Sequence, residues 1–274
     1  MTFGTRLAEA VAGRGRLCVG IDPHPALLDA WGLTDSAFGL EKFAMAAVEA
    51  FAGTVAVVKP QSAFFERHGS AGIAVLERTV TAARELGTLV LLDVKRGDIG
   101  TTAQAYADAY LRPSSPLAVD AVTVSPYLGM GSLDPFLDTA LAHDAGVFVL
   151  ALTSNPEGPQ FQHATTADGR TVAGTVLDAV ATRNADAEGL GSIGAVVGAT
   201  IGETRENLDV AGPLLVPGIG AQGGTVDDVR RIFGPAARNV LPSISREVLG
   251  AGPEKRALHE AAQRAAEAFA VLDG

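Results

Sequence analysis

Asp93 and Lys95 close the apolar run Leu89-Val90-Leu91-Leu92, Asp98 follows three residues later, and a second lysine, Lys59, ends the run Val55-Ala56-Val57-Val58. Charged groups set into apolar runs must be partnered, because an unpaired ion in a half-dry site loses on the order of several kcal/mol of solvation. If both runs are strands, alternation across each strand gathers Val55, Val57 and Lys59 on one face, and Leu89, Leu91, Asp93 and Lys95 on another. Adjacent strands then interleave two ammonium groups with two carboxylates: Lys59, Asp93, Lys95 and Asp98. Flanking carboxylates keep Lys95 protonated where desolvation alone would discharge it. An ammonium held in this way donates a proton and offers fixed positive potential to carbanion-like charge. Any one of the four could be a surface ion pair; their convergence on two runs points to a reaction centre.

A second constellation suits a phosphate. Pro217-Gly218-Ile219-Gly220-Ala221-Gln222-Gly223-Gly224 offers backbone N–H groups that glycine leaves accessible, and Gln222 adds an amide donor. Arg246, in Ser243-Ile244-Ser245-Arg246, can hold two phosphate oxygens at once.

The elements that must position these groups follow from the rhythm of the chain. Strand candidates are Leu17–Asp22, Thr54–Pro60, Thr88–Val94, Val119–Ser125, Val147–Thr153, Ile193–Ala199, Leu214–Ile219 and Asn239–Ser243. Most are continuously apolar, as strands buried on both faces are. Helical patterns lie between and after them, at Leu40–Phe51, Ala71–Leu86, Thr101–Leu111, Leu133–His143, Val172–Ala187, Thr204–Asp209, Val226–Phe233 and Glu254–Leu272. Eight βα units predict an α/β fold, a closed (β/α)8 barrel of the TIM type, as a single domain over residues 1–274. A doubly wound sheet would want a glycine-rich first turn, and Gly20-Ile21-Asp22-Pro23 is not one. Barrel sites lie at the C-terminal ends of the strands, with phosphate commonly held after strands seven and eight. Both constellations meet that rule. The polar stretch Asn155–Arg170 is long for a connection and is expected to be an active-site loop.

Composition narrows the partners. The 274 residues carry a formal net charge of −10, which disfavours generic binding to nucleic acid or anionic membrane. An anionic ligand must be held by a few placed cations. No apolar run approaches the ~18 residues of a membrane span, and no secretory signal is evident at the N-terminus. Cys18, the single cysteine, has no internal partner, which fits a cytoplasmic protein. It shares parity with Gly20 and Asp22 and is expected as an inert thiol in the barrel floor. His24, His68, His143, His163 and His259 are scattered and suggest no metal site. Arg14 and Arg16 are expected to be solvated, and Tyr127 to serve either packing or substrate contact.

Asp93-Val94-Lys95-Arg96-Gly97-Asp98-Ile99-Gly100-Thr101-Thr102 resembles the Asp-x-Lys-x-x-Asp motif of the orotidine 5′-monophosphate decarboxylases, in particular their longer bacterial branch. Val58-Lys59-Pro60-Gln61-Ser62-Ala63-Phe64-Phe65-Glu66 and the Pro217–Gly224 loop are similar to that branch as well, so the likeness runs from strand one to strand eight. The resemblance implies metal-free, cofactor-free decarboxylation of orotidine 5′-monophosphate to UMP in pyrimidine biosynthesis. It implies that Asp22 binds ribose hydroxyls, with Lys59 also reaching the sugar and linking to Asp93. Asp93 lies beside the substrate carboxylate, and Lys95 stabilises and protonates the carbanion at C6. Ser154 contacts the pyrimidine, and Gln222 and Arg246 the phosphate. Asp98, with Ile99 and Thr102, completes the site of a second copy, which implies a homodimer. Strand eight departs from the Gly-Arg ending of the shorter branch. Two rivals remain. A Mg-dependent sugar-phosphate lyase of the 3-keto-gulonate 6-phosphate decarboxylase or hexulose 6-phosphate synthase type shares the motif but places an acidic ligand where Lys59 stands. A non-catalytic phosphate-binding barrel has no need of the charge array.

Overall fold

The eight apolar runs pair only with their sequence neighbours, and the last pairs with the first. In the computed structural model, which describes residues 1–221 and 223–272, the strands are β1 (Cys18–Ile21), β2 (Val57–Pro60), β3 (Leu89–Arg96), β4 (Ala121–Val124), β5 (Gly146–Leu152), β6 (Ile193–Val197), β7 (Leu214–Val216) and β8 (Val240–Ile244). They form a closed parallel barrel in chain order. Helices Ala37–Phe51, Gly69–Glu85, Gly100–Leu111, Asp134–Ala142, Val172–Arg183, Val226–Phe233 and Lys255–Phe269 cover it.

Strand parity divides the core in two. Val19, Ile21, Val58, Val90, Leu92 and Val94 face the helices in the outer layer. Cys18, Val57, Leu89, Leu91, Ala121, Phe148, Val196, Leu215 and Leu241 fill the barrel interior. Register ties the rings together: Cys18 lies beside Val57, Val57 beside Leu89, and Leu91 beside Ala121. The expected parity therefore holds for Cys18, Val57, Leu89 and Leu91, but not for Val55, which precedes β2 and packs in the outer layer with Val58.

The floor is closed by an element the sequence reading passed over. Helix Phe3–Arg14 is capped by Thr2, whose side chain accepts from Thr5 N, and ends at Gly15 with φ 77°. Phe3, Leu7 and Ala10 share its buried face and pack under the barrel. The Phe3 ring meets Phe148 edge-on with centroids 6.1 Å apart. Gly146 makes room, since a Cβ there would strike the Phe3 ring. Nearby, buried Asp120 accepts from Arg6 Nη1 and, at 2.9 Å, from Val90 N.

Two expectations need correction. Arg16 is buried rather than solvated: its guanidinium donates to the carbonyls of Ala237, Arg238, Val240 and Leu272 and fastens the chain ends across the floor. Arg14 is half-buried and donates to Gly87 O. Residues Thr204–Asp209 form no helix. Their side chains compete for the backbone, with Thr204 Oγ1 accepting from Glu206 N and Asn207 Oδ1 from Asp209 N. Asn155–Arg170 carries one short helix, Pro159–Gln162.

Because Phe3 is fully packed beneath the barrel, Phe3→Ala should lower stability by about 3–5 kcal/mol and the Tm by about 10 °C. Thermal melting monitored by circular dichroism checks this, and an unchanged Tm would show that the helix contributes nothing to closing the floor.

Candidate active site

The inward positions at the C-terminal ends of the strands carry polar groups where the interior below carries Val, Leu and Phe. Lys59 and Asp93 are both almost fully buried, and Lys59 Nζ donates to Asp93 Oδ2 at 3.2 Å. The same ammonium reaches Gln61 Oε1 at 3.3 Å and lies 4.0 Å from Asp22 Oδ1. Lys95 Nζ donates to the other oxygen, Asp93 Oδ1, at 2.6 Å. Asp22 Oδ2 accepts from Ser245 Oγ at 2.6 Å, and Gly20 keeps that contact open, since a Cβ there would come within 2.7 Å of Ser245 Cβ. Asp22 Oδ1 is buried with no hydrogen-bond partner among the described residues. A buried carboxylate oxygen left open in this way suits a ligand hydroxyl.

Asp93 and Lys95 share a face by a route that simple alternation does not contain. Between Leu92 and Arg96, β3 advances four residues while β4 advances two, from Val122 to Val124. The extra length is a bulge, and Lys95 sits in it at φ 45°. Thr123 of β4 fills the gap, accepting from Val94 N and Lys95 N and donating to Asp93 Oδ1. Sequence reasoning missed Thr123. Its one signal is a hydroxyl at an inward position of an otherwise apolar strand.

These groups line a cavity of about 520 Å³ together with Ser154, Arg246, Gly218 and His24. Leu150, Val196 and Leu215 form its apolar wall. Ser154 is seated against β6 because Gly198 has no side chain to displace it. His24, one of the scattered histidines, meets the Phe64 ring edge-on at the cavity edge with ring centroids 4.2 Å apart. The glycine-rich loop turns sharply, with positive φ at Gly218, Gly220 and Gly223. The N–H groups of Gly220, Gly223 and Gly224 are spent inside that turn, on Gly224 O, Gly220 O and Gly218 O. Arg246 is exposed, and its guanidinium has no ion-pair or hydrogen-bond partner among the described residues. Gln222 lies outside the described residues.

Asp98, Ile99 and Thr102 are not brought into this cavity. The expectation that Asp98 interleaves with the lysines of its own chain is therefore corrected. Gly97 packs so close to Ser125 O that a Cβ would lie 2.5 Å away, and the chain turns off the barrel rim there. Asp98 Oδ1 accepts from its neighbour Ile99 N, Ile99 is 62% exposed, and Thr102 is exposed on the first turn of helix Gly100–Leu111. Tyr127 is likewise exposed and meets Phe161 edge-on.

The electrostatics follow from the pairing. Burial opposes the charge on Asp93, but Lys59, Lys95 and the donor hydroxyl of Thr123 outweigh it and hold the pKa down at about 2. Burial also opposes the charge on Lys59, yet Asp22 and Asp93 keep its pKa above the ordinary lysine value. Cys18, one layer below, is pushed up to about 12 by burial, which makes it an inert thiol. Among the described residues no group of three or more His, Cys, Asp or Glu side chains is placed to hold a metal, and no helix is long and apolar enough to cross a membrane.

Fold and site together define a (β/α)8 barrel with a lysine–aspartate centre at the C-terminal mouth. The chain belongs to the orotidine 5′-phosphate decarboxylase / HUMPS family, whose model matches residues 15–261. It is 63% identical to the orotidine 5′-phosphate decarboxylase of Salinispora arenicola across 100% of this chain and 99% of that protein. It is 66% identical to that of a Nocardioides species across 90% and 91%. A crystal structure from Streptomyces avermitilis, 58% identical, superposes with a TM-score of 0.97 over 99% of this chain and 96% of that one.

A carboxylate held at about pKa 2 stabilises the fold above the ordinary aspartate value, and that contribution disappears as pH falls through 4 toward 2. The stability gap between wild type and Asp93→Asn should therefore shrink by about 2 kcal/mol between pH 5 and pH 2. Urea titrations across that range measure it. A constant gap would mean that the two lysines do not hold the carboxylate ionised.

Proposed function

We propose that this chain removes CO2 from orotidine 5′-monophosphate to give UMP, and that residues 1–274 act as one barrel domain, in the cytoplasm, without metal or cofactor. The carrying observation is the Asp93 carboxylate, which has one lysine on each oxygen at the edge of a cavity of nucleotide size. Whole-chain likeness to orotidine 5′-phosphate decarboxylases supports the substrate.

The substrate phosphate sits between the glycine-rich loop and Arg246, with Gln222 as a further donor. A ribose hydroxyl meets the open Oδ1 of Asp22, beside Lys59, and the pyrimidine edge meets Ser154. This grip directs the carboxylate at C6 toward Asp93. The C6–carboxylate bond breaks, the electron pair stays on C6 and CO2 departs. The Lys95 ammonium stabilises that pair electrostatically and transfers a proton to C6. Phosphate binding far from C6 helps to order the site, including loop Asn155–Arg170.

Asp98, Ile99 and Thr102 complete the site of a second copy, in a homodimer. Their outward placement and the 62% exposure of Ile99 support this role. The family description also covers HUMPS members. Lys59 argues against the Mg-dependent lyase reading, since its buried ammonium occupies the place of an acidic metal ligand and would repel a divalent cation.

Lys95→Ala should lower kcat by at least ~10³-fold, with the Kd for UMP changed less than ~10-fold. Loss of the orotate chromophore and calorimetric UMP binding measure the two quantities, and wild-type turnover by this variant would remove Lys95 as the proton donor. Lys95→Ala and Asp98→Ala should each be inactive alone. Coexpressed, they should recover about a quarter of wild-type turnover, because half of randomly paired dimers carry one intact site of two. A coexpressed pair as inactive as its parents would mean that Asp98 does not serve a second copy.

A further inference from the structure

We propose that Thr123 is the positioning residue of this reaction centre, setting the Asp93–Lys95 geometry through a single saturated hydroxyl. The inference rests on the decarboxylase reading above and adds a residue to it.

A threonine hydroxyl has one proton to give and two lone pairs to offer. The N–H groups of Val94 and Lys95 can only donate, and they point at Thr123 Oγ1 from 3.1 and 3.0 Å. The hydroxyl proton is then committed to Asp93 Oδ1, 2.8 Å away. No other orientation satisfies all four groups. Each partner belongs to the β3 bulge, and the two N–H groups face β4 where the regular ladder is interrupted. Lys95 is held there at φ 45°, a conformation that a side chain rarely adopts unless its surroundings enforce it. Thr123 is fully buried and lines the cavity, so water does not replace it freely.

The dependence continues outward. The side chain of Lys95 is nearly half exposed, and the one hydrogen bond of its ammonium among the described residues is to Asp93 Oδ1. That oxygen is the atom Thr123 fixes. Without the hydroxyl the bulge loses its two acceptor contacts, Asp93 turns about its remaining bond to Lys59, and Lys95 moves with it. Thr123 makes no hydrogen bond to Arg246, Asp22 or Ser154. The defect should therefore appear in the chemical step and leave substrate grip intact.

Purified Thr123→Val and Thr123→Ser are compared with wild type in the orotate assay, alongside thermal melts and UMP binding. Valine keeps the shape and removes the hydroxyl: kcat should fall about 10²-fold while KM and the UMP Kd change less than about 3-fold. Serine restores the hydroxyl and should retain kcat within about 5-fold. A folded valine variant with kcat near wild type, a serine variant as slow as valine, or a parallel loss of UMP affinity overturns the proposal. If the valine variant does not fold, Thr123→Cys takes its place, since a thiol is a poor donor and acceptor. It should lose at least about 10-fold in kcat, and wild-type kcat in that folded variant overturns the proposal equally. Wild type inactive on orotidine 5′-monophosphate would sink the decarboxylase reading instead, so the two failures are told apart.

Discussion

The arrangement depends on one carboxylate. Asp93 is buried, a position that opposes ionisation, yet its two oxygens accept from Lys59, Lys95 and Thr123. Each contact makes the others affordable. Removing Asp93 would leave Lys59 with only Asp22 at 4.0 Å and Gln61 for company. Removing either lysine would leave a buried negative charge short of compensation, the expensive way to break a buried pair. The interlock also fixes backbone register. Lys59 and Asp93 lie on adjacent strands, and the Gln61–Asp93 bridge extends that pairing just past the end of β2. A slip of one residue between β2 and β3 would turn one partner into the outer helical layer.

Stability and chemistry occupy opposite ends of the barrel. At the floor, apolar packing and satisfied polar groups predominate: Phe3 against Phe148, Asp120 under Arg6 and Val90 N, and Arg16 binding four carbonyls. At the mouth, polar groups lack partners among the described residues, among them the buried Asp22 Oδ1 and the exposed guanidinium of Arg246. The β5 connection is intermediate in character. Gln162 folds back on Thr153, accepting from its N–H and donating to its hydroxyl, so the base of the loop beside Ser154 is anchored while the outer part is exposed. A barrel tolerates this division because its interior packing does not pass through the loops.

What could be read in advance was what periodicity carries. Continuous apolar runs revealed parallel strands, and a period of two placed Lys59 and Asp93 inward. The same rule placed Lys95 correctly for an incomplete reason, because the chain reaches that face through a bulge with φ 45°. Thr123 was invisible because its role depends on a strand some thirty residues away and on a bulge that no local pattern announces. The helix Phe3–Arg14 was legible in principle, from the Thr2 cap and the Phe3, Leu7, Ala10 spacing. Thr204–Asp209 misled because a short polar stretch offers its side chains to its own backbone, a competition that propensity does not resolve. Asp98 misled because counting residues along a loop says nothing of the direction Gly97 imposes.

Charge bookkeeping at the mouth explains how an acidic chain accepts an acidic ligand. The net charge of −10 gives no long-range attraction for a nucleotide. Within the cavity, however, Lys59, Lys95 and Arg246 face Asp22 and Asp93, three cations against two carboxylates, on an apolar wall of Leu150, Val196 and Leu215. A local excess of one positive charge beside low-polarity walls is felt only at short range, within about a Debye length of roughly 8 Å at physiological salt. In the function proposed above, recognition then rests more on placed contacts than on field, and the Arg246 guanidinium and the unpartnered Asp22 Oδ1 are the groups available to make them. The same economy serves the chemistry. Asp93 neutralises Lys59 enough to keep it buried and holds the half-exposed Lys95 in place, yet shares its charge between the two, so Lys95 retains positive potential on the side that faces the cavity. A centre with more carboxylates would cancel that potential, and one with fewer could not hold two ammonium groups in place.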